Sequence, residues 1–366
     1  MGHLGQIENA WRAWRYGRPS GISSQADYIA KPGAVWSRAE PADTRRRTAP
    51  RRLGRIEIDF TPLIGPLPEL GVFALPQGRA LGHAGLAFDS EGQIIRETTW
   101  YGGDLSSDHL PRSFGPPQRV QGTCLALISQ FADANYGHYV LDCVSRLGVA
   151  ERAGWSPSKI DRYYLCRPPS VSAHRLLGKL GVPDERCVWS EARTNIVADL
   201  LLVTTFPGTR RNYARVVPET ISRPFAAQAR GGRRLFIPRH GVRKASNTEQ
   251  IEAIAVEQGL EVYDFQTVED EFSYFRSAEL VVGPHGAGLT NIAVCRPGTK
   301  ILEIIPTDHV HPYYYTLAEA AGLDYSYLGA KSAEQRAPGS WGPSPHDFYV
   351  DPVEFREALL SLTAAP

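Results

Sequence analysis

The stretch Glu279–Pro306, ELVVGPHGAGLTNIAVCRPGTKILEIIP, decides the reading of this chain. Leu280-Val281-Val282 is a short apolar run and predicts a buried strand. Gly283-Pro284 stops that strand. His285-Gly286-Ala287-Gly288 then makes a small-residue turn into Leu289–Cys295, an apolar segment of helical length. Gly298 closes the helix, and Lys300–Ile305 starts a second strand. Strand, glycine turn, helix and strand make a βαβ unit. Its turn lies at the carboxyl end of the first strand, where open α/β sheets bind ligands. Backbone N–H groups at the helix start favour an anion, most often phosphate. Gly286 and Gly288 supply only G-x-G, without the third glycine of a dinucleotide fingerprint. Spacing alone therefore also fits a tight turn of any α/β protein. His285 and Asn291 add to it, as polar residues flanking an otherwise small, apolar turn.

Pro284–Asn291, PHGAGLTN, followed by a strand carrying Glu303, resembles the family 61 glycosyltransferases, a family tied to capsular polysaccharide biosynthesis. Two other stretches agree. One is Asn135-Tyr136-Gly137-His138-Tyr139; the other is Arg239 with Arg243 and Asn247 ahead of a helix. The family's version of the first reads N-[YF]-x-H-[WF], from which Tyr139 departs. The resemblance implies an inverting, metal-independent transferase of GT-B-like α/β fold. Two Rossmann-like domains would face a central cleft, and a C-terminal helix would cross back to the first domain.

Composition sets the bounds. With 366 residues the chain is long enough for two domains with full cores. It is 42% hydrophobic and 22% charged, as ordinary globular proteins are. Its 40 basic and 39 acidic residues leave a net charge of +1, which argues against a dedicated nucleic-acid binder. Arg45, Arg46, Arg47, Arg51, Arg52 and Arg55 nevertheless crowd one stretch, which reads as a solvated loop or a contact with a membrane surface, a lipid-linked acceptor or an acidic polymer. Five scattered cysteines without a C-x-x-C pair fit buried, reduced thiols and a cytoplasmic protein. No apolar run is long enough to span a bilayer, and the N-terminus lacks a secretory h-region.

Taken in order, residues 1–55, with Trp11 and Trp14, read as an extension. Residues 56–198 form a first, acceptor-side α/β domain. Ile56–Phe60 alternates as a strand, and Cys124–Ile128 is a continuous apolar strand. Asn135 caps a helix over Tyr136–Ala150. His138, Asp142 and Arg146 recur at i, i+4 and i+8 and share one face. Residues 199–340 form a nucleotide-sugar-binding domain, in which Asn247 with Gln250, and Thr267 with Asp270, begin helices. Residues 341–366 are a linker and a last helix that packs on the first domain.

Sugar transfer from a nucleotide diphosphate needs the leaving charge stabilised, the acceptor hydroxyl deprotonated and the nucleoside gripped. Gly286, Ala287 and Gly288 offer backbone amides. Arg239 and Arg243 suit phosphate through the planar guanidinium fork. His285 would touch a phosphate or a sugar hydroxyl, or tie the turn to a neighbouring carbonyl. Asn291 would bond a loop or the ligand, and Glu303 suits ribose hydroxyls. His138 is the base expected to act near neutral pH, with Asp142 orienting it or serving as base itself. No D-x-D metal pair is present; Asp308 and His309 with His311 is a loose alternative, in which the His-x-His pair lacks a third nearby ligand. Neither metal nor cofactor is expected, and the expected partners are a nucleotide-sugar donor and a glycan acceptor. Two other classes fit the same residues: a nicotinamide dehydrogenase, and a non-catalytic nucleotide- or glycan-binding module.

Overall fold

The computed structural model describes residues 19–44, 47–82, 85–110, 114–208, 211–228, 231–265, 268, 270–335 and 344–364. Trp11, Trp14, Arg45, Arg46 and Thr267, named above, lie outside them. The chain forms two compact units. One comprises Met1–Thr44 and Pro66–Arg210, the other Arg45–Gly65 and Arg211–Pro366.

The first unit is built on a mixed sheet. Its central strand is Asn195–Thr204. On one side lie Gln118–Ala126, Arg162–Leu165 and Cys187–Trp189, each parallel to its neighbour. On the other side Leu70–Pro76 and Arg79–Leu81 pair antiparallel with it. The central strand reads NIVADLLLVT, and its partner ends CLA. Register sets Leu201 opposite Cys124 and Leu202 opposite Leu125. Both strands need burial on two faces, so they sit mid-sheet, and Cys124, Ala126, Ile196, Ala198, Leu201 and Val203 share one core. This strand spans position 199, where the sequence reading started the second half.

The second unit carries a parallel sheet. In chain order its main strands are Arg233–Phe236, Glu261–Val262, Ala278–Pro284, Lys300–Pro306 and Asp324–Ser332. Their spatial order is second, first, third, fourth, fifth, and every neighbouring pair is parallel. That is a doubly wound order with its switch point between the first and third strands. Side chains alternate across each strand. Leu280, Val282, Leu302, Ile304, Leu328 and Ala330 therefore point into one core with Ile251 and Ile254 of the Thr248–Glu257 helix.

Two parts of this unit correct the sequence reading. The Pro352–Thr363 helix was expected on the first domain. It instead drops Phe355, Ala358, Leu359 and Leu362 into the core just described. Its Arg356 makes a two-pronged ion pair with Glu257 at 2.8 Å for each prong. An apolar stripe shows that a helix packs, not what it packs on. The residues around Arg47 also join this unit. Arg51–Arg52 adds a short strand parallel to Asp324–Ser332. Ile56–Phe60, expected as a strand, carries no ladder; Ile58 N–H donates to the Tyr327 hydroxyl at 3.1 Å. Phe60 is buried and meets Tyr315 and Tyr327 with ring centroids 5.5 Å apart in each case.

Candidate functional site

Two constellations of chemistry-bearing residues stand out, one in each unit. The first sits at the switch point of the parallel sheet. The Ala278–Pro284 strand ends there, and His285 follows directly. His285 N–H still donates to Ile304 O at 2.9 Å, which fixes the turn to the next strand. Glu303 lies between Leu302 and Ile304, so its side chain leaves the sheet on the face opposite theirs. It is fully buried. One carboxylate oxygen lies 2.5 Å from His285 Nδ1, and the other accepts from the Tyr325 hydroxyl at 2.5 Å. Burial, reinforced by the Glu303 charge, pushes the Tyr325 phenol far above its usual pKa, so it remains a donor.

Glu303 thus differs from the ribose partner expected of it. It has no exposed surface, and both oxygens are taken. Its geometry is that of a group that holds His285, since Nδ1–H bonded to a carboxylate leaves Nε2 as the basic nitrogen. Around His285 stand His309, His311 and Tyr314, with ring centroids 5.3, 5.9 and 5.2 Å away. Burial raises the Tyr314 phenol well above 10 and keeps it neutral. Among the described residues, no group of three or more His, Cys, Asp or Glu side chains has a geometry that could hold a metal ion.

Arg239 follows the Arg233–Phe236 strand and lies over the glycine turn. Its Nε donates to Val242 O at 3.0 Å and one Nη to His285 O at 3.4 Å. The turn admits it because Gly286 has no side chain: a Cβ there would collide with that Nη. Gly286 is extended, with φ 161°, so its glycine makes room rather than relieving strain. Gly288 serves close packing too, since a Cβ would meet Ile237 Cγ2 at 2.9 Å and Phe265 Cζ at 3.3 Å. The apolar segment after the turn is a 3-10 helix over Ala287–Val294. Arg239 is half-buried, and this burial lowers its pKa below that of a free arginine.

The other expected members are spread more widely. Arg243 is buried and donates to Ser344 O at 3.4 Å. Asn247 stands at the start of its helix, but its side chain serves the C-terminal segment, donating to Val350 O at 2.9 Å and accepting from Val350 N–H at 3.3 Å. Asn291 is fully buried and donates to Glu271 Oε2 at 3.1 Å. His309 and Tyr314, which the sequence reading did not place in the site, face His285 across the sheet end. The aromatic run Tyr313-Tyr314-Tyr315 was the signal for Tyr314, and the His309-x-His311 spacing, read above as a loose metal alternative, was the signal for His309.

The second constellation belongs to the first unit. Asn135 accepts from His138 N–H at 3.2 Å and so caps the helix start. The helix then passes from an α turn at Tyr136–His138 into a π segment, Tyr139–Val144, before α geometry returns at Arg146–Arg152. Single π turns inside helices recur at functional sites. His138 Nδ1 lies 2.6 Å from Asp142 Oδ2, with the carboxylate buried and the ring partly open to solvent. Arg146 is buried below them. It donates to Asp142 O at 2.9 Å, to Thr204 O at 3.1 Å and to Thr98 O at 3.0 Å. The i, i+4, i+8 face is therefore no solvated stripe. It ends in a buried anchor and begins in an accessible imidazole held by a carboxylate.

The glycosyltransferase 61 family matches residues 136–302, which run from the start of the His138 helix to the residue before Glu303. A β-1,2-xylosyltransferase of Arabidopsis thaliana is 36% identical over 73 residues, 19% of this chain and 14% of that protein. The α-1,3-arabinosyltransferase XAT3 of Oryza sativa subsp. japonica is 30% identical over 139 residues, 34% of this chain and 23% of that protein. The chain thus spans less than a quarter of the length of these curated relatives. No helix among the described residues is long and apolar enough to cross a membrane. The matched span holds the imidazole–carboxylate pair of the first unit and the glycine turn with Arg239 in the second, so the likeness to the glycosyltransferase 61 family falls on the residues that carry both constellations.

Proposed function

We propose that this chain is a glycosyltransferase that moves a sugar from a nucleotide-diphosphate sugar, of the UDP class, to a glycan acceptor. The observation that carries this reading is Arg239 lying over Gly286 in the glycine turn at the switch point of a parallel sheet, beside a carboxylate-held His285. The match to the glycosyltransferase 61 family and the transferase names of the relatives support it.

In this reading the diphosphate takes the place at the turn. Peptide amides of Gly286–Gly288 and the Arg239 guanidinium neutralise charge as it builds on the leaving group, and such preorganised stabilisation is the largest contribution in most enzymes. Glu303 holds His285 by Nδ1–H, so Nε2 meets a phosphate or sugar oxygen. His138, oriented by Asp142, accepts the proton of the attacking acceptor hydroxyl. One direct displacement inverts the anomeric centre, and no covalent sugar–enzyme intermediate is needed. A GT-B-like arrangement of the two units, catalysis without a metal and a role in polysaccharide or glycoconjugate biosynthesis are parts of the same proposal.

Thermal unfolding with UDP, a panel of UDP-sugars and NAD tests it. UDP and at least one UDP-sugar are expected to stabilise the protein, by about 2.7 kcal/mol at a hundredfold excess over Kd, and NAD is not. Arg239→Ala should remove that stabilisation and abolish transfer. His138→Ala should abolish transfer and leave the stabilisation in place. Stabilisation by NAD instead of UDP, or full transfer by either variant, sinks this reading.

A further inference from the structure

One surface feature of the first unit has no part in the chemistry above. Phe131 lies in the loop after the Gln118–Ala126 strand, four residues before the Asn135 cap. Its side chain is large and apolar, yet it is 49% exposed. Its backbone is left-handed, with φ 67°. Left-handed backbone is costly for any residue with a Cβ, and most of all for a bulky one. A strained backbone that holds a greasy ring in water needs a reason, and such outliers gather at binding sites.

What surrounds the ring supplies the reason. Trp100 meets Phe131 edge-on with centroids 5.3 Å apart, and His138 lies 5.5 Å from Phe131 and 6.1 Å from Trp100. The backbone N–H of Trp100 donates to Gln130 Oε1 at 3.2 Å, which ties the two aromatic loops together. Gly85 lets the loop sit low, since a Cβ there would come within 2.8 Å of Ser129 Cα. Two aromatic rings thus flank the imidazole proposed as base. Two apolar ring surfaces lie beside a polar imidazole. A pyranose ring has the same character, with C–H groups on its faces and hydroxyls around its rim.

We propose that Phe131 and Trp100 form a stacking platform for a pyranose ring of the glycan acceptor, setting one of its hydroxyls against His138. The placement of the acceptor rests on the transferase reading above; the platform itself rests on Phe131 and its neighbours. Contact between sugar C–H groups and the ring faces holds the acceptor, and the left-handed turn keeps Phe131 raised to meet it.

The test compares the full-length protein with Phe131→Gly and Phe131→Tyr by calorimetric titration with xylohexaose, cellohexaose and mannohexaose. UDP-induced thermal stabilisation is measured alongside. Glycine accepts φ 67° without strain, so Phe131→Gly is expected to melt no earlier than the parent. At least one oligosaccharide should bind the parent. Its affinity should fall about tenfold or more in Phe131→Gly and hold within about threefold in Phe131→Tyr. The UDP response should be the same in all three proteins. Failure of all three oligosaccharides to bind the parent, or undiminished binding by Phe131→Gly, overturns the platform. Loss of the UDP response in the parent, with oligosaccharide binding still dependent on Phe131, removes the donor reading and leaves the platform as a glycan site.

Discussion

Gly286 shows how little a residue needs to contribute in order to matter. Alanine at 286 fits the extended backbone, and the only atoms in its way are the tip of a flexible arginine. Gly286→Ala is therefore expected to melt close to the parent while swinging the guanidinium off the turn. UDP affinity should drop about tenfold, measured by titration. Tyr139 makes the opposite case. Its ring is fully buried, and among the described residues its hydroxyl has no hydrogen-bond partner. An unpaired buried hydroxyl costs about 1–3 kcal/mol. Tyr139→Phe should raise the urea midpoint, by up to about 1 kcal/mol in stability, without loss of transfer. At this scale the sequence was partly legible. His285, Arg239 and the glycines were visible because small and polar residues interrupt apolar runs. The Glu303–His285–Tyr325 chain was not, because its members come from two strands and the end of a third, and only register places them together.

The element that carries His138 depends on what lies beneath it. Arg146 is charged at neutral pH even though burial lowers its pKa to about 10. It joins the helix to the carbonyls of Thr98 and Thr204. Arg146→Ala strands those carbonyls and opens a cavity, so a loss of about 3–5 kcal/mol is expected by urea denaturation. Arg146→Met refills the volume and should recover part of it. The helix itself was readable from its apolar side and from the Asn135 cap, which the structure uses as a cap. Its π segment was not, since an extra residue per turn leaves no mark in composition. Asn247 also reads as a cap, and its amide does donate to the Gln250 side chain at 3.1 Å; its bond to Val350, 103 residues away, spans a distance over which local pattern carries no information.

For the molecule as a whole, alternation of strand and helix gave the α/β class, and the parallel order of the second sheet followed from it. The discontinuity did not show. Residues 45–65 look like an arginine-rich loop, yet Arg47 donates to Asn212 at 2.6 Å, to Tyr213 O at 2.6 Å and to Glu319 at 2.7 Å. With only 14% of its side chain exposed, it behaves as a staple rather than a membrane or polymer contact. Phe60 completes the anchor. Phe60→Ala is expected to cost about 3–5 kcal/mol, lowering the unfolding transition of the second unit in calorimetry more than that of the first.

A segment claimed by one unit but encoded ahead of most of the other has a consequence during synthesis. About 145 residues must leave the ribosome after Gly65 before the first of its partners at 211 appears, roughly ten to thirty seconds at ordinary translation speed. Throughout that interval Phe60 and its neighbours are without shelter, so newly made chains should lean on holding chaperones, and slowing translation should lower the yield of native protein.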